Sequence, residues 1–157
     1  MVDHPFSGSA LCAVDAAGIV LLPPFILATM QRRSDAGAVM IGVHEADPCL
    51  SAYDRGHLSA LYADHERRRM AEYGSGAHYR RARTRFGSAE ETSCDAHGTI
   101  TLPAIMRRKV GIGDIALLVG AGGTFEMWNP QTALGGDDPH LRELAAWRFD
   151  DIFASAN

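Results

Sequence analysis

One stretch of this chain is written twice. Phe6, Asp15, Ala16, Gly18, Leu22 and Pro23 recur as Phe86, Asp95, Ala96, Gly98, Leu102 and Pro103, every pair 80 residues apart with no insertion between them. Val20 and Ile100 form a conservative pair in the same register. An Asp, a Gly and a Pro seldom fall into one register twice by chance. An internal repeat at this scale means two copies of one small supersecondary unit.

Each copy opens with an apolar-rich strand, passes through Asp-x-x-Gly, and continues as a second apolar strand closed by proline. Asp15-Ala16-Ala17-Gly18 and Asp95-Ala96-His97-Gly98 read as hairpin turns. Asp hydrogen-bonds the backbone two residues on, and Gly supplies the positive φ that ends the turn. The second strands, Ile19–Leu22 and Thr99–Leu102, are aliphatic and β-branched, which suits a half-buried pleated surface. Pro23 and Pro103 then stop the ladder and start short helices, Pro24–Met30 and Ala104–Val110. Strands follow at Ala38–Val43 and Ile115–Val119, then at Cys49–Tyr53 and Thr124–Trp128, so each copy is a β-β-α-β-β unit. Between the copies, Leu58, Leu61, Tyr62, His65, Arg69 and Tyr73 recur at helical spacing, and Gly74-Ser75-Gly76 breaks that helix. A further helix is expected over Leu141–Phe149, started by Asp137-Asp138-Pro139, with a disordered tail over 154–157.

At 157 residues, 46% hydrophobic and 22% charged, the chain has room for one compact domain or two small intertwined halves. No apolar run approaches the ~20 residues that span a bilayer. The N-terminus MVDHPFSGSA lacks the basic and apolar regions of a secretory signal, so a cytoplasmic location without a membrane partner is expected. Cys12, Cys49 and Cys94 offer neither a CxxC pair nor a disulfide framework and read as small hydrophobes. The net charge of −4 is unevenly spread: from Glu66 to Arg85 seven arginines face two glutamates, a net +5, leaving −9 elsewhere. A local basic patch of this kind sets the nearby field whatever the total.

The ordered set of motifs resembles the MraZ family, within the SpoVT/AbrB-like group. The residues that carry the resemblance run from Phe6 to about Trp147. They are Phe6 and Gly8, Asp-x-x-Gly with its aliphatic strand and Pro in both copies, and Cys49-Leu50-x-x-Tyr53. The Arg-rich linker before Phe86-Gly87 and Val119-Gly120 with Phe125-Glu126-x-Trp128 complete it. The resemblance implies a β-rich α+β fold in which two fused β-β-α-β-β repeats form a swapped-hairpin AbrB-like β-barrel. The repeats would span 6–53 and 86–130, joined by a helical linker over 54–85 and followed by a C-terminal helix over 137–150. It further implies ring-like homo-oligomers, nucleoid association, and sequence-specific binding to double-stranded DNA that represses the division and cell-wall gene cluster.

One departure bears on that function. The family carries Asp-x-x-x-Arg in each copy, and here the arginine positions hold Ile19 and Thr99. A guanidinium fork binds a guanine edge or a phosphate bidentately, and each good base contact contributes ~1–3 kcal/mol of discrimination. Neither Ile nor Thr replaces that charge. The rival expectation is therefore an oligomeric scaffold that kept the fold and lost operator recognition.

Candidate DNA contacts are Ile19 and Thr99 at the turn tips, Arg107, Arg108 and Lys109 on the second short helix, and Arg80, Arg81, Arg83 and Arg85 in the linker. Asp15, Gly18, Asp95 and Gly98 are assigned to shaping the turns. Cations at a helix C-terminus also offset its dipole, and charge runs are often solvated or salt-bridged faces, so these alternatives stand beside phosphate contact. No metal site or cofactor is expected: His57 and His65 lie near Asp54, Asp64 and Glu66 but without HxxxH or HExxH spacing. Gly120-Ala121-Gly122-Gly123 joins two strands instead of opening a helix, so it reads as a hairpin turn, not a phosphate loop. No nucleophile is paired with a base by spacing, and no enzyme is expected. Phe125, Trp128 and Trp147 read as core or subunit-interface aromatics.

Overall fold

The computed structural model describes residues 4–34, 36–72 and 76–156. In the first half, β1 (Ser9–Ala13), β2 (Ile19–Leu21), α1 (Pro24–Arg33), β3 (Ala38–Val43) and β4 (Leu50–Asp54) follow one another. A 3₁₀ turn (Arg55–His57), α2 (Leu58–Ala71), α3 (Ala77–Ala82) and a π-helical turn (Arg83–Gly87) connect them to the second half. There β5 (Glu90–Ser93), β6 (Thr99–Thr101), α4 (Ala104–Val110), β7 (Ile115–Gly120) and β8 (Phe125–Trp128) repeat the order. Helices α5 (Pro130–Gly135) and α6 (Pro139–Ala156) close the chain.

The fold is α+β, with an antiparallel six-stranded sheet in the order β1-β7-β8-β4-β3-β5 and a two-stranded antiparallel ribbon, β2-β6. Strands 80 residues apart take exchanged places. β1 lies beside β7, β5 lies beside β3, and the centre of the sheet pairs β4 with β8. Alternation then sorts the side chains. In the ribbon Val20 and Ile100 face inward and are buried, while Ile19, Leu21 and Thr101 face solvent and Thr99 is half-buried.

The main core gathers Phe6, Val20, Ile26, Met30, Ile41, Leu50, Ile100, Leu102, Phe125 and Met127 between sheet, ribbon and α1 and α4. Phe6 meets Phe125 edge-on with ring centroids 5.1 Å apart, a favoured aromatic geometry. A smaller cluster of Cys49, Leu117, Trp128, Ala133 and Ala145 lies under α5 and α6.

The structure departs from the sequence reading at element ends and in the connections. Helix α1 runs on from Met30 to Arg33 because Ser34 caps it, its amide donating to the Met30 carbonyl. Glycine ends α4 instead, Gly111 at φ 71° with the Ile112 amide turning back to the Arg107 carbonyl. The linker, expected to be helical over 54–85, is divided into a 3₁₀ turn, α2, α3 and a π-helical turn that runs on to Gly87. Tyr73 and the first two residues of the expected break, Gly74 and Ser75, lie outside the described residues. The expected disordered tail is corrected as far as Ala156: α6 begins on the Asp138 carboxylate, which accepts from the His140 and Leu141 amides, and continues to Ala156, while Asn157 lies outside the described residues. The Gly120–Gly123 stretch is a hairpin turn closed by Ala121 N–H to the Thr124 carbonyl at 2.9 Å. Phe125 and Trp128 are buried, whereas Trp147 stands largely exposed on α6.

Candidate nucleic-acid interface

The two Asp-x-x-Gly turns are built alike, atom by atom. Asp15 Oδ1 accepts from the Ala17 and Ile19 amides at 3.0 and 2.8 Å. Asp95 Oδ1 accepts from the His97 and Thr99 amides, both at 2.9 Å. Gly18 and Gly98 follow at φ 88° and 87°, each amide donating back to its own Asp carbonyl. The amide bonds to Thr99 and His97 hold the Asp95 carboxyl below the usual carboxylate range. A carboxylate so engaged shapes the loop. The turns also clasp each other's strand: the Leu22 amide donates to the Gly98 carbonyl and the Leu102 amide to the Gly18 carbonyl.

Between the turns lies the ribbon. Ile19 is opposite Thr101 and Leu21 is opposite Thr99, so Ile19 and Thr99 stand diagonally on the same outward face. That face carries no formal charge. The basic end of α4 sits beside one turn only. Arg107 donates to the Ala16 carbonyl at 3.5 Å and to the Gly113 carbonyl at 3.2 Å, which ties α4 to the first turn across 91 residues of sequence. The position 80 residues earlier holds Leu27, which packs against Gly98 of the second turn. Arg108 and Lys109 are exposed, and among the described residues neither has a carboxylate partner.

The linker arginines divide into two groups. Arg81 makes a two-pronged contact with Glu72 at 2.9 and 3.0 Å, tying α3 to the end of α2. Arg85 reaches Asp64 at 3.1 Å and Glu45 at 2.9 Å, and Arg68 binds the same two carboxylates. Arg67 and Arg69 pair along α2 with Asp64 and Glu66. Arg80 and Arg83 are exposed and have no carboxylate partner among the described residues. The linker thus presents far less unpaired charge than its composition suggests.

Two polar clusters escape sequence reasoning because their members are distant in the chain. Arg33 lies over the Phe6 ring and donates to the Gly123 carbonyl at 2.9 Å, with Asp54 3.4 Å away and His57 Nδ1 2.8 Å away. It pins the β7–β8 turn to α1. Elsewhere His44, Cys49 and Glu126 bring potential metal ligands within 4.8 Å of one another. The hydrogen bonding does not fit a divalent ion. His44 Nδ1 accepts from the Ala46 and Asp47 amides at 3.1 and 3.0 Å, so Nε2 carries the proton and points at Glu126, 3.1 Å away. Its Glu126 partner pulls the ring toward imidazolium, but the neutral Nε2–H form satisfies all three contacts. Burial pushes the Cys49 thiol far from thiolate, the form a metal needs.

Burial pushes the Glu126 carboxyl up, but hydrogen bonds from His44 and from Trp128 Nε1, the latter at 2.9 Å, outweigh it and hold it below the usual range. A carboxylate with a depressed folded pKa contributes stability above its unfolded pKa of about 4.3, lost as pH falls through the folded value. In a Trp147→Phe background, Trp128 fluorescence is therefore expected to hold steady down to about pH 4 and change below it. Glu126→Gln is expected to abolish that step.

No family profile matches the chain. Individual relatives do. It is 32% identical to the transcriptional regulator MraZ of Nitrosococcus oceani over 126 residues, 79% of this chain and 80% of that protein. It is 29% identical to the transcriptional regulator MraZ of Ruegeria pomeroyi over 159 aligned positions, 90% of this chain and 86% of that protein. The MraZ of Alcanivorax borkumensis is 27% identical over 128 residues, 81% of this chain and 84% of that protein. With 32% identity to one of these regulators and this coverage in both directions, the chain belongs to the MraZ family.

Proposed function

We propose that this protein is a transcriptional regulator that binds double-stranded DNA as a ring-like homo-oligomer and represses the division and cell-wall gene cluster. Its two repeats, 6–53 and 86–130, make one swapped-hairpin barrel of the AbrB kind, with the 54–85 linker and the C-terminal helix added to it. Pairing of β1 with β7 and of β5 with β3 supports that reading. The observation that carries the DNA assignment is the outward ribbon, three residue pairs long, framed by two identically built turns, with Arg107 of the basic end of α4 resting on the first of them. A two-stranded ribbon fits the major groove, and adjacent cations fix its register on phosphates without reading sequence. Arg80 and Arg83 extend the phosphate contact; Arg81 and Arg85 act through the linker's internal ion pairs. A protein with this role resides on the nucleoid.

The scaffold reading is favoured by one specific observation: the ribbon face is uncharged, and most linker arginines are occupied within the chain. Salt dependence separates the two. Replacing Arg108→Ala together with Lys109→Ala is expected to weaken binding to any duplex alike. It should flatten the slope of log K against log salt by about 2, roughly 0.9 per phosphate lost. A slope unchanged in the double variant removes this end of α4 from the interface and favours the scaffold.

A further inference from the structure

The outward ribbon face is aliphatic on one strand and hydroxyl-bearing on the other. Ile19 and Leu21 are 41% and 61% exposed, opposite Thr101 and Thr99. Large aliphatic side chains are held in solvent here by a rigid frame, since Val20 and Ile100 between them are fully buried. The carboxylates of Asp15 and Asp95 are turned back onto their own loops, which leaves no charge on the face to repel a base edge. At the first turn Arg107 of α4 donates to the Ala16 carbonyl, and the exposed Arg108 and Lys109 follow it at the basic end of that helix.

In the major groove one base alone offers an apolar group, the C5-methyl of thymine, and aliphatic or threonine methyl groups pack against it. Arginine at the same positions would seek guanine. We infer that this ribbon reads thymine methyl groups through Ile19, Leu21, Thr99 and Thr101. The inference rests on the proposed DNA-binding role and names what the ribbon selects. A second copy of the chain is the weaker occupant. Stable interfaces engage about 20–30 residues a side, the ribbon face offers four side chains, and the neighbouring cations complement a phosphate backbone.

The test replaces every thymine of a fluorescein-labelled division-cluster promoter duplex with deoxyuridine, which keeps base pairing and removes the methyl group. Burying one methyl corresponds to about a fourfold change in affinity. The full-length protein is expected to bind the deoxyuridine duplex about fourfold more weakly for each thymine contacted. Leu21→Ser with Ile19→Ser is expected to narrow the difference between the two duplexes to what the Thr99 and Thr101 methyl groups supply, with an unchanged sedimentation profile. Equal affinity of the native protein for the two duplexes would overturn thymine readout while leaving DNA binding intact. Failure to bind either duplex would overturn the DNA-binding role itself. Dissociation of the oligomer in the serine variant would assign the ribbon to self-association and overturn the inference.

Discussion

Ile19→Arg combined with Thr99→Arg is expected to raise affinity for a guanine-containing duplex by tenfold or more and to leave the oligomeric state unchanged. Both positions lie on the outward face of the ribbon, where Ile19 is 41% exposed and Thr99 half-buried, so longer side chains extend into solvent without repacking the core. They are offset by two residues along the strand and one strand across, about 8 Å, from a rise of ~3.4 Å per residue and a strand spacing of ~4.8 Å. That separation matches two to three base-pair steps of about 3.4 Å. Each guanidinium fork paired with a guanine contributes ~1–3 kcal/mol of discrimination, so the two contacts together, at about 2 kcal/mol or more, pass the tenfold mark. The same double variant is expected to lose part of its preference for thymine over deoxyuridine, because one of the two exposed aliphatic groups is gone. Fluorescence anisotropy with sedimentation velocity checks both statements. Unchanged affinity in the double variant would place the DNA contact elsewhere on the molecule.

Gly18→Ala is expected to destabilise the protein more than Gly98→Ala, although the two glycines share φ to within a degree. Both substitutions force an L-residue into left-handed backbone, at about 1–2 kcal/mol. Their surroundings differ. A Cβ on Gly18 would lie 2.6 Å from the Leu102 carbonyl oxygen, a backbone atom of the opposite copy. A Cβ on Gly98 would first meet Leu27 Cδ2 at 3.1 Å, the end of a side chain that rotates away, and a backbone carbonyl only at 3.6 Å. Relieving the first clash means parting Gly18 from Leu102, whose amide bonds the Gly18 carbonyl at 2.7 Å. Loss of that bond adds about 0.5–1.5 kcal/mol. Gly98→Ala is therefore expected at about 1–2 kcal/mol and Gly18→Ala at about 1.5–3.5 kcal/mol, read from urea unfolding. Equal losses would mean that the ribbon shifts freely at that end. Because Arg107 rests on the same turn, Gly18→Ala should also loosen α4 and weaken DNA binding.

The strands and turns were legible because their signals are local. Asp-x-x-Gly followed by an aliphatic run and Pro specifies a turn, a strand and a helix start within ten residues, and β3 and α4 have the ends expected of them. Helix α5 carried an equally local signal that went unread: Asn129 caps it, accepting from the Gln131 amide, and Pro130 is its first residue. What no local rule supplies is the pairing between copies. Arg107 on the Ala16 turn, Arg85 on Glu45 and His44 on Glu126 join residues that only the assembled sheet brings together. For that reason the linker's positive charge, read as a patch from composition, proves largely internal. Among the described residues, exposed cations without a carboxylate partner include instead Arg108 and Lys109 at the end of α4, and Arg32, Arg80 and Arg83.

The central claim is that operator recognition survives without the two motif arginines and resides in the ribbon. Its most direct test is a titration of the purified full-length protein, by fluorescence anisotropy at two salt concentrations. The division-cluster promoter is compared with a scrambled duplex of the same composition. The predicted result is tight binding that prefers the promoter at both salts, with the preference persisting as the salt-sensitive phosphate term weakens. Weak, salt-sensitive binding of equal strength to both duplexes, or no binding at all, would contradict it and leave an oligomeric scaffold that does not read sequence.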